Sequence, residues 1–167
     1  MEQAEFYIKS LNLGKHPEGG YFREVYRSLE EIPAKALPAR FEGARSFSTS
    51  IYFLLPGDEI SVFHKIRSDE IWHFYKGAFI RIHIIDSKGN YSTLVLGDDP
   101  FNSSSFQQVV PQGSWFAAES LDPLSFSLAG CTVAPGFDFK DFEMAERETL
   151  MELFPQHGAI IEHFTHG

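Results

Sequence analysis

The stretch FIRIHIID, residues 79–86, narrows what this chain can become more than any other. Ile80, Ile82 and Ile84 fall on one side of an extended segment and Arg81 and His83 on the other, the period of a strand whose two faces meet different surroundings. SFSTSIYFLL (46–55) repeats the pattern, with Phe47, Ile51, Phe53 and Leu55 set against Ser46, Ser48 and Ser50. SKGN at 87–90 is a tight-turn signature that joins 79–86 to YSTLVLG (91–97) as a hairpin. YFREVYRS (21–28), ISVFHKIR (60–67), EIWHFYKG (70–77), SFQQVV (105–110), SWFAAE (114–119) and LSFSLAGCTV (124–133) read as further strands. The segment IPAKALPARFEGA (32–44) has no strong period and reads as a long loop.

Helical spacing occurs only at the ends. EQAEFYIKSL (2–11) predicts a short amphipathic helix and FEMAERETLMELF (142–154) a closing one. Short strands at near-regular spacing, without strand–helix alternation, predict an all-β sandwich or barrel and exclude a parallel α/β sheet. The 167 residues fit one domain, 1–167, and 43% apolar residues with 17 Phe suit a packed core.

A net charge of -9 argues against nucleic acid or an anionic membrane surface as partner, since either requires a positive field. The single cysteine, Cys131, sits in the apolar run FSLAGCTV and reads as a buried structural thiol. No signal-peptide pattern and no membrane-length apolar run is visible, so the expectation is a cytoplasmic protein.

Gly57, His64, Glu70 and Gly77 match the first sequence motif of the cupin superfamily, which this chain therefore resembles. The second histidine of the usual His-x-His is Ile66. PQGSWF (111–116) resembles the second cupin motif, with Phe116 where the motif has histidine. HPEGGYFRE (16–24), SDEIWHFYKG (68–77) and VAPGFDFKDFE (133–143) resemble the signatures of an uncharacterised cupin branch. The resemblance implies a double-stranded β-helix, or jelly-roll, barrel, usually dimeric. It implies no particular reaction, because cupins include oxygenases, isomerases, epimerases and pure binding proteins.

Two of the four usual ligand positions being apolar, the expectation is no metal and no other cofactor. The retained pair suggests acid–base chemistry on a small organic molecule in the barrel. Some cupin-fold sugar epimerases are similar in working without metal, through a histidine held by an acid and a tyrosine across the pocket. On that pattern His64 is the candidate base, Glu70 its orienting acid and Tyr52 the opposing tyrosine, with Tyr21 and Tyr75 as other tyrosines within the motifs. Glu18, Tyr21, Ile66, Trp72, His73, Phe74 and Phe116 are candidate ligand contacts, the aromatic ones suited to a flat ring. A buried polar pair satisfying itself in a binding protein without chemistry is the alternative. A metal-dependent enzyme using His64, Glu70 and a rotated His73 is another. Arg81 and His83 read as a solvated or interface face, and His157, His163 and His166 as a surface tail.

Overall fold

The computed structural model describes residues 2–166. Helix α1 (Glu2–Ser10) leads into strands β1 (Gly14–Lys15), β2 (Tyr21–Arg27), β3 (Glu31–Ile32), β4 (Arg45–Ser46) and β5 (Thr49–Pro56). Strands β6 (Ile60–Lys65), β7 (Asp69–Gly77), β8 (Ile80–Ile85) and β9 (Tyr91–Leu96) follow. Then come β10 (Gln107–Val110), β11 (Trp115–Ser120), β12 (Phe126–Ala134) and β13 (Glu143–Met144). Helices α2 (Arg147–Leu153) and α3 (Gly158–His163) close the described chain.

The long strands form two facing antiparallel sheets. One has the order β1-β2-β5-β12-β7-β10, the other β13-β6-β11-β8-β9, and β3-β4 is a separate ribbon. Sequence neighbours such as β6 and β7 lie in opposite sheets, so the chain crosses between layers as a jelly roll does. The all-β barrel expected from the strand spacing is thus the fold. The β8–β9 hairpin forms as its turn residues predict: the Asp86 carboxylate accepts from the N–H groups of Lys88 and Asn90.

Alternating side chains divide the apolar residues into three cores. Phe53, Leu55, Ile66, Trp72, Ile80, Ile82, Ile84 and Phe116 point between the sheets. Leu54, Phe126 and Leu128 point outward from the six-stranded sheet and are covered by α1 through Ala4 and Tyr7. Phe63, Ile85, Trp115 and Ala117 point outward from the other sheet, under α2 and α3, against Leu150, Ile161 and Phe164. Neither outer face could stay dry without its helical cover.

Three expectations are corrected here. The C-terminal helix is two short helices, and Glu143–Met144 pairs with β6 instead of opening a helix. His83 is 4% exposed, not solvated: α3 covers it, its ring lies 4.5 Å from Phe164, and Tyr91 and Glu119 take its two nitrogens. His157 likewise bonds the Gly89 carbonyl at 2.8 Å, so it is a contact between the C-terminal region and the hairpin.

The connection after β12 is fastened by one buried ion pair. Arg45 Nη2 and Nε donate to the two oxygens of Asp141 at 2.6 and 2.7 Å, with both side chains nearly inaccessible. Removing one partner strands the other charge away from water. Asp141→Asn is therefore expected to cost about 3 kcal/mol of stability, measured by chemical denaturation; a loss below about 1 kcal/mol would mean that the pair is solvated in solution.

Candidate functional site

A cavity of about 280 Å³ opens between the sheets at the end covered by residues 135–142. Its floor carries His64 from β6 and Glu70 and Trp72 from β7, and its wall carries Ile51 and Phe53 from β5 and Cys131 and Val133 from β12. Phe137, Phe139 and Phe142 stand at its rim, together with Glu24, Arg27 and Asp138. His16 and Glu18 enter from the HPEGG turn between β1 and β2. Gly19 has φ +111°, and a Cβ there would collide with the Ile60 carbonyl, so glycine is required to seat this turn against β6. The Val62 N–H donates to the Glu18 carbonyl at 2.8 Å and completes the attachment.

Hydrogen bonding determines the protonation of the floor. His64 Nδ1 lies 2.8 Å from the Val62 carbonyl and Nε2 lies 2.8 Å from Glu18 Oε2. Both partners are acceptors, so both ring nitrogens carry hydrogen and His64 is an imidazolium paired with the Glu18 carboxylate. Burial alone would lower the His64 pKa, but the Glu18 charge and these bonds carry it above the ordinary 6.5. Burial pushes Glu18 up, yet His64 and the Ser61 hydroxyl, donating to Oε1 at 2.9 Å, bring it below 4.5. Phe116 lies 4.0 Å from the His64 ring and Phe142 stacks on it at 5.4 Å, placing aromatic faces around the cation. His16 is different. Its Nδ1 accepts from the Glu18 N–H at 3.3 Å, and burial lowers its pKa, so it is neutral with its proton on Nε2.

Glu70 has no cation of its own. Its side-chain neighbour is the Cys131 thiol, itself pushed well above 9.0 by burial and by Glu70. Burial first, and the Glu18 charge second, raise the Glu70 pKa from 4.5 to about 7. Beside it, Trp72 Nε1 is a buried donor without a partner among the described residues.

The expected site residues separate into three groups. His64, Glu70, Glu18, Ile66 and Trp72 all line the cavity. Phe116 and Phe74 are interior packing residues, Phe116 beneath His64 and Phe74 against Phe79 at 5.9 Å. Tyr52, Tyr21 and His73 are on the wrong side of their strands. Tyr52 and Tyr21 pack in the outer cluster under α1, because Phe53 and Phe22 take the inward positions. His73 faces away from Glu70 and bonds Thr132 Oγ1 at 3.0 Å. Tyr75 is half exposed and lies over Gly130 on the same outer face. No tyrosine lines the cavity among the described residues. The roles of the acids are also reversed from the expectation: Glu18, not Glu70, holds the His64 ring.

The donors do not fit a metal. Ile66 and Phe116 offer no lone pair, both His64 nitrogens are engaged, and among the described residues no three His, Cys, Asp or Glu side chains gather into a metal-holding group. No helix in the described residues is long and apolar enough to cross a membrane.

Comparison with known proteins agrees with this architecture. Residues 5–145 match the family described as Cupin superfamily (DUF985). The uncharacterised protein YML079W of Saccharomyces cerevisiae is 35% identical over 153 residues, 84% of this chain and 74% of that protein. The structure of protein SO0799 from Shewanella oneidensis is 37% identical with a TM-score of 0.87, covering 98% of this chain and 97% of that one. A hypothetical protein from Leishmania major is 34% identical with a TM-score of 0.88, covering 98% and 99%. Oxalate decarboxylase from Bacillus subtilis, 16% identical with a TM-score of 0.55 over 90% of this chain and 36% of that one, shares the fold alone.

Glu70 makes stability depend on pH in a defined direction. Between pH 4.5 and about 7 the native chain holds a proton that the unfolded chain has lost, so stability falls as pH rises through that window. At about 1.4 kcal/mol per pH unit, the loss approaches about 3 kcal/mol. His64 adds a further loss above pH 6.5, since its folded pKa is raised. Glu70→Gln removes the first effect and leaves the larger Glu18 contribution to the second. Relative to wild type, the variant is expected to gain about 3 kcal/mol between pH 5 and pH 8 in urea denaturation; a constant difference across that range would show that Glu70 ionises normally.

Proposed function

The chain belongs to the cupin superfamily (DUF985), and we propose that its barrel binds a small organic molecule and exchanges a proton with it through Glu70. One observation carries this reading: Glu70 is a buried carboxyl facing the cavity, without a cation of its own, and it titrates near neutral pH. A group with that pKa interconverts between acid and base at little cost, as general catalysis requires. His64 cannot serve as the base in this arrangement, because both of its nitrogens already donate. Its imidazolium instead fixes the charge on Glu18, and that charge helps keep Glu70 protonated.

Among the described residues no tyrosine lines the cavity, which leaves a two-sided epimerisation without its opposing group. A one-sided proton shift fits better. The Glu70 carboxylate takes a proton from a carbon next to a ligand carbonyl, the electron pair moves onto the carbonyl oxygen, and Glu70 returns the proton to a neighbouring atom. The Nε2–H of neutral His16 supplies a donor for that oxygen. Phe22, Phe53, Trp72 and Phe139 surround the space with aromatic faces, which suits a flat ring more than a chain of hydroxyls.

The test is solvent exchange. Cyclic ketones incubated with the protein in deuterated water are expected to gain deuterium beside the carbonyl, at a rate that rises with pH around 7. Glu70→Gln should slow this at least about 100-fold. Binding with no exchange in wild type would leave a binding protein, and equal exchange in the variant would remove Glu70 from the chemistry.

We also read the chain as a homodimer. Strand β10 is an unpaired edge of the six-stranded sheet, and it carries Val109, with Phe106 just ahead of it, both about half exposed. Sedimentation at micromolar concentration is expected to give twice the 19.0 kDa chain mass; a monomer would contradict this reading.

A further inference from the structure

A second concavity, of about 370 Å³, lies on the far side of the wall made by Ile66 and Phe142. Residues 137–143 divide the two spaces: Phe137, Phe139 and Phe142 face the barrel cavity, whereas Lys140, Asp141 and Glu143 line the groove. Arg40, Lys65 and Arg67 line it from the opposite turns. Four cations therefore converge against two carboxylates, in a chain whose net charge is -9.

The carboxylates leave two of these four cations, Arg40 and Lys140, without an ion pair among the described residues. Both oxygens of Asp141 are taken by Arg45, and Glu143 meets Lys65 at 3.1 Å. Arg67 is shared between Glu42, at 3.2 Å and 76% exposed, and the buried Asp141, 3.8 Å from its Nε.

The two arginines are also held in place. Arg40 Nε donates to the Arg67 carbonyl at 2.8 Å, and Arg67 Nη1 donates to the Arg40 carbonyl at 2.6 Å. These reciprocal bonds to main-chain carbonyls hold both side chains against the groove wall. The guanidinium edge of Arg40 that these bonds leave free is suited to the paired oxygens of phosphate or carboxylate. The conformational cost of collecting the donors is already met by the fold.

We propose that this groove is a second ligand site, separate from the barrel cavity, which binds a small phosphate- or carboxylate-bearing anion between Arg40, Arg67 and Lys140. It stands independently of any proton chemistry at Glu70. Because Ile66 and Phe142 line both spaces, an occupant of the groove is one side-chain layer away from the cavity.

The experiment is a titration of the full chain with inorganic phosphate, and separately with acetate, followed by amide ¹H–¹⁵N shifts at fixed ionic strength. Saturable shifts at Arg67, Gly113 and Lys140 are expected with phosphate, with a Kd of about 1 mM or below. Saturation with acetate as well would assign the broader carboxylate class, and saturation with phosphate alone would assign phosphate. The double variant Arg40→Gln, Lys140→Gln changes two exposed side chains, and its thermal midpoint verifies folding. It should weaken phosphate binding about 10-fold or more. Shifts that never saturate and that chloride reproduces would reduce the groove to a screened surface and overturn the proposal, as would unchanged affinity in the folded double variant.

Discussion

The Glu18–His64 ion pair is the interaction on which the interior arrangement depends. It lies at the base of an apolar barrel, where either charge alone would be strongly disfavoured. Each is retained because the other is there and because their remaining valences are filled, Glu18 by Ser61 and His64 by the Val62 carbonyl. The Val62 carbonyl is available because β6 carries an extra residue there: pairing with β11 slips between Phe116↔His64 and Ala118↔Ser61. The pair also fastens the HPEGG turn across the barrel, since Glu18 comes from that turn and His64 from the opposite sheet.

The electrostatics of the neighbouring groups follow from this pair. Burial lowers the His16 pKa, the Glu18 charge 3.4 Å away opposes this, and the His64 cation adds to the lowering. Glu70 stays protonated to about pH 7 because it is buried and the Glu18 anion is close. With His16, Glu18, His64 and Glu70 all in ordinary states, the cavity would have no carboxyl balanced for exchange at neutral pH. Here one ion pair takes up Glu18 and His64, burial lowers His16, and Glu70 is left as the carboxyl whose protonation is balanced.

The segment after β12 performs a comparable division by alternation. Three phenylalanines of GFDFKDFE close the rim of an aromatic cavity, and Lys140, Asp141 and Glu143 of the same stretch line the groove. The Arg45–Asp141 pair anchors the segment from below. One short stretch thus separates two chemical environments, one aromatic and one charged.

Much of the fold was legible because strand alternation and turn chemistry are local properties. FIRIHIID and SKGN specify a strand and a turn without reference to anything distant, and the cupin pattern places His64 and Glu70 near each other. Which face of a strand points inward is less local. In YFREVYRS and SFSTSIYFLL both faces carry aromatic or apolar side chains, so Tyr21 against Phe22, and Tyr52 against Phe53, could be settled only by the position of α1, which covers the tyrosines. His83 was hidden for the same reason, its polar-looking face being sealed by the C-terminal helices.

The sequence by itself determined an all-β barrel with helices at its ends, a retained histidine and glutamate, and apolar residues at two positions where the cupin pattern has ligands. Only the tertiary structure decided which acid holds the histidine, that both histidine nitrogens are occupied, and that Glu70 is the carboxyl left to titrate near pH 7. Those outcomes depend on distances of 2.8 Å between residues 46 positions apart, and on burial that no single strand possesses before the sheets close over it.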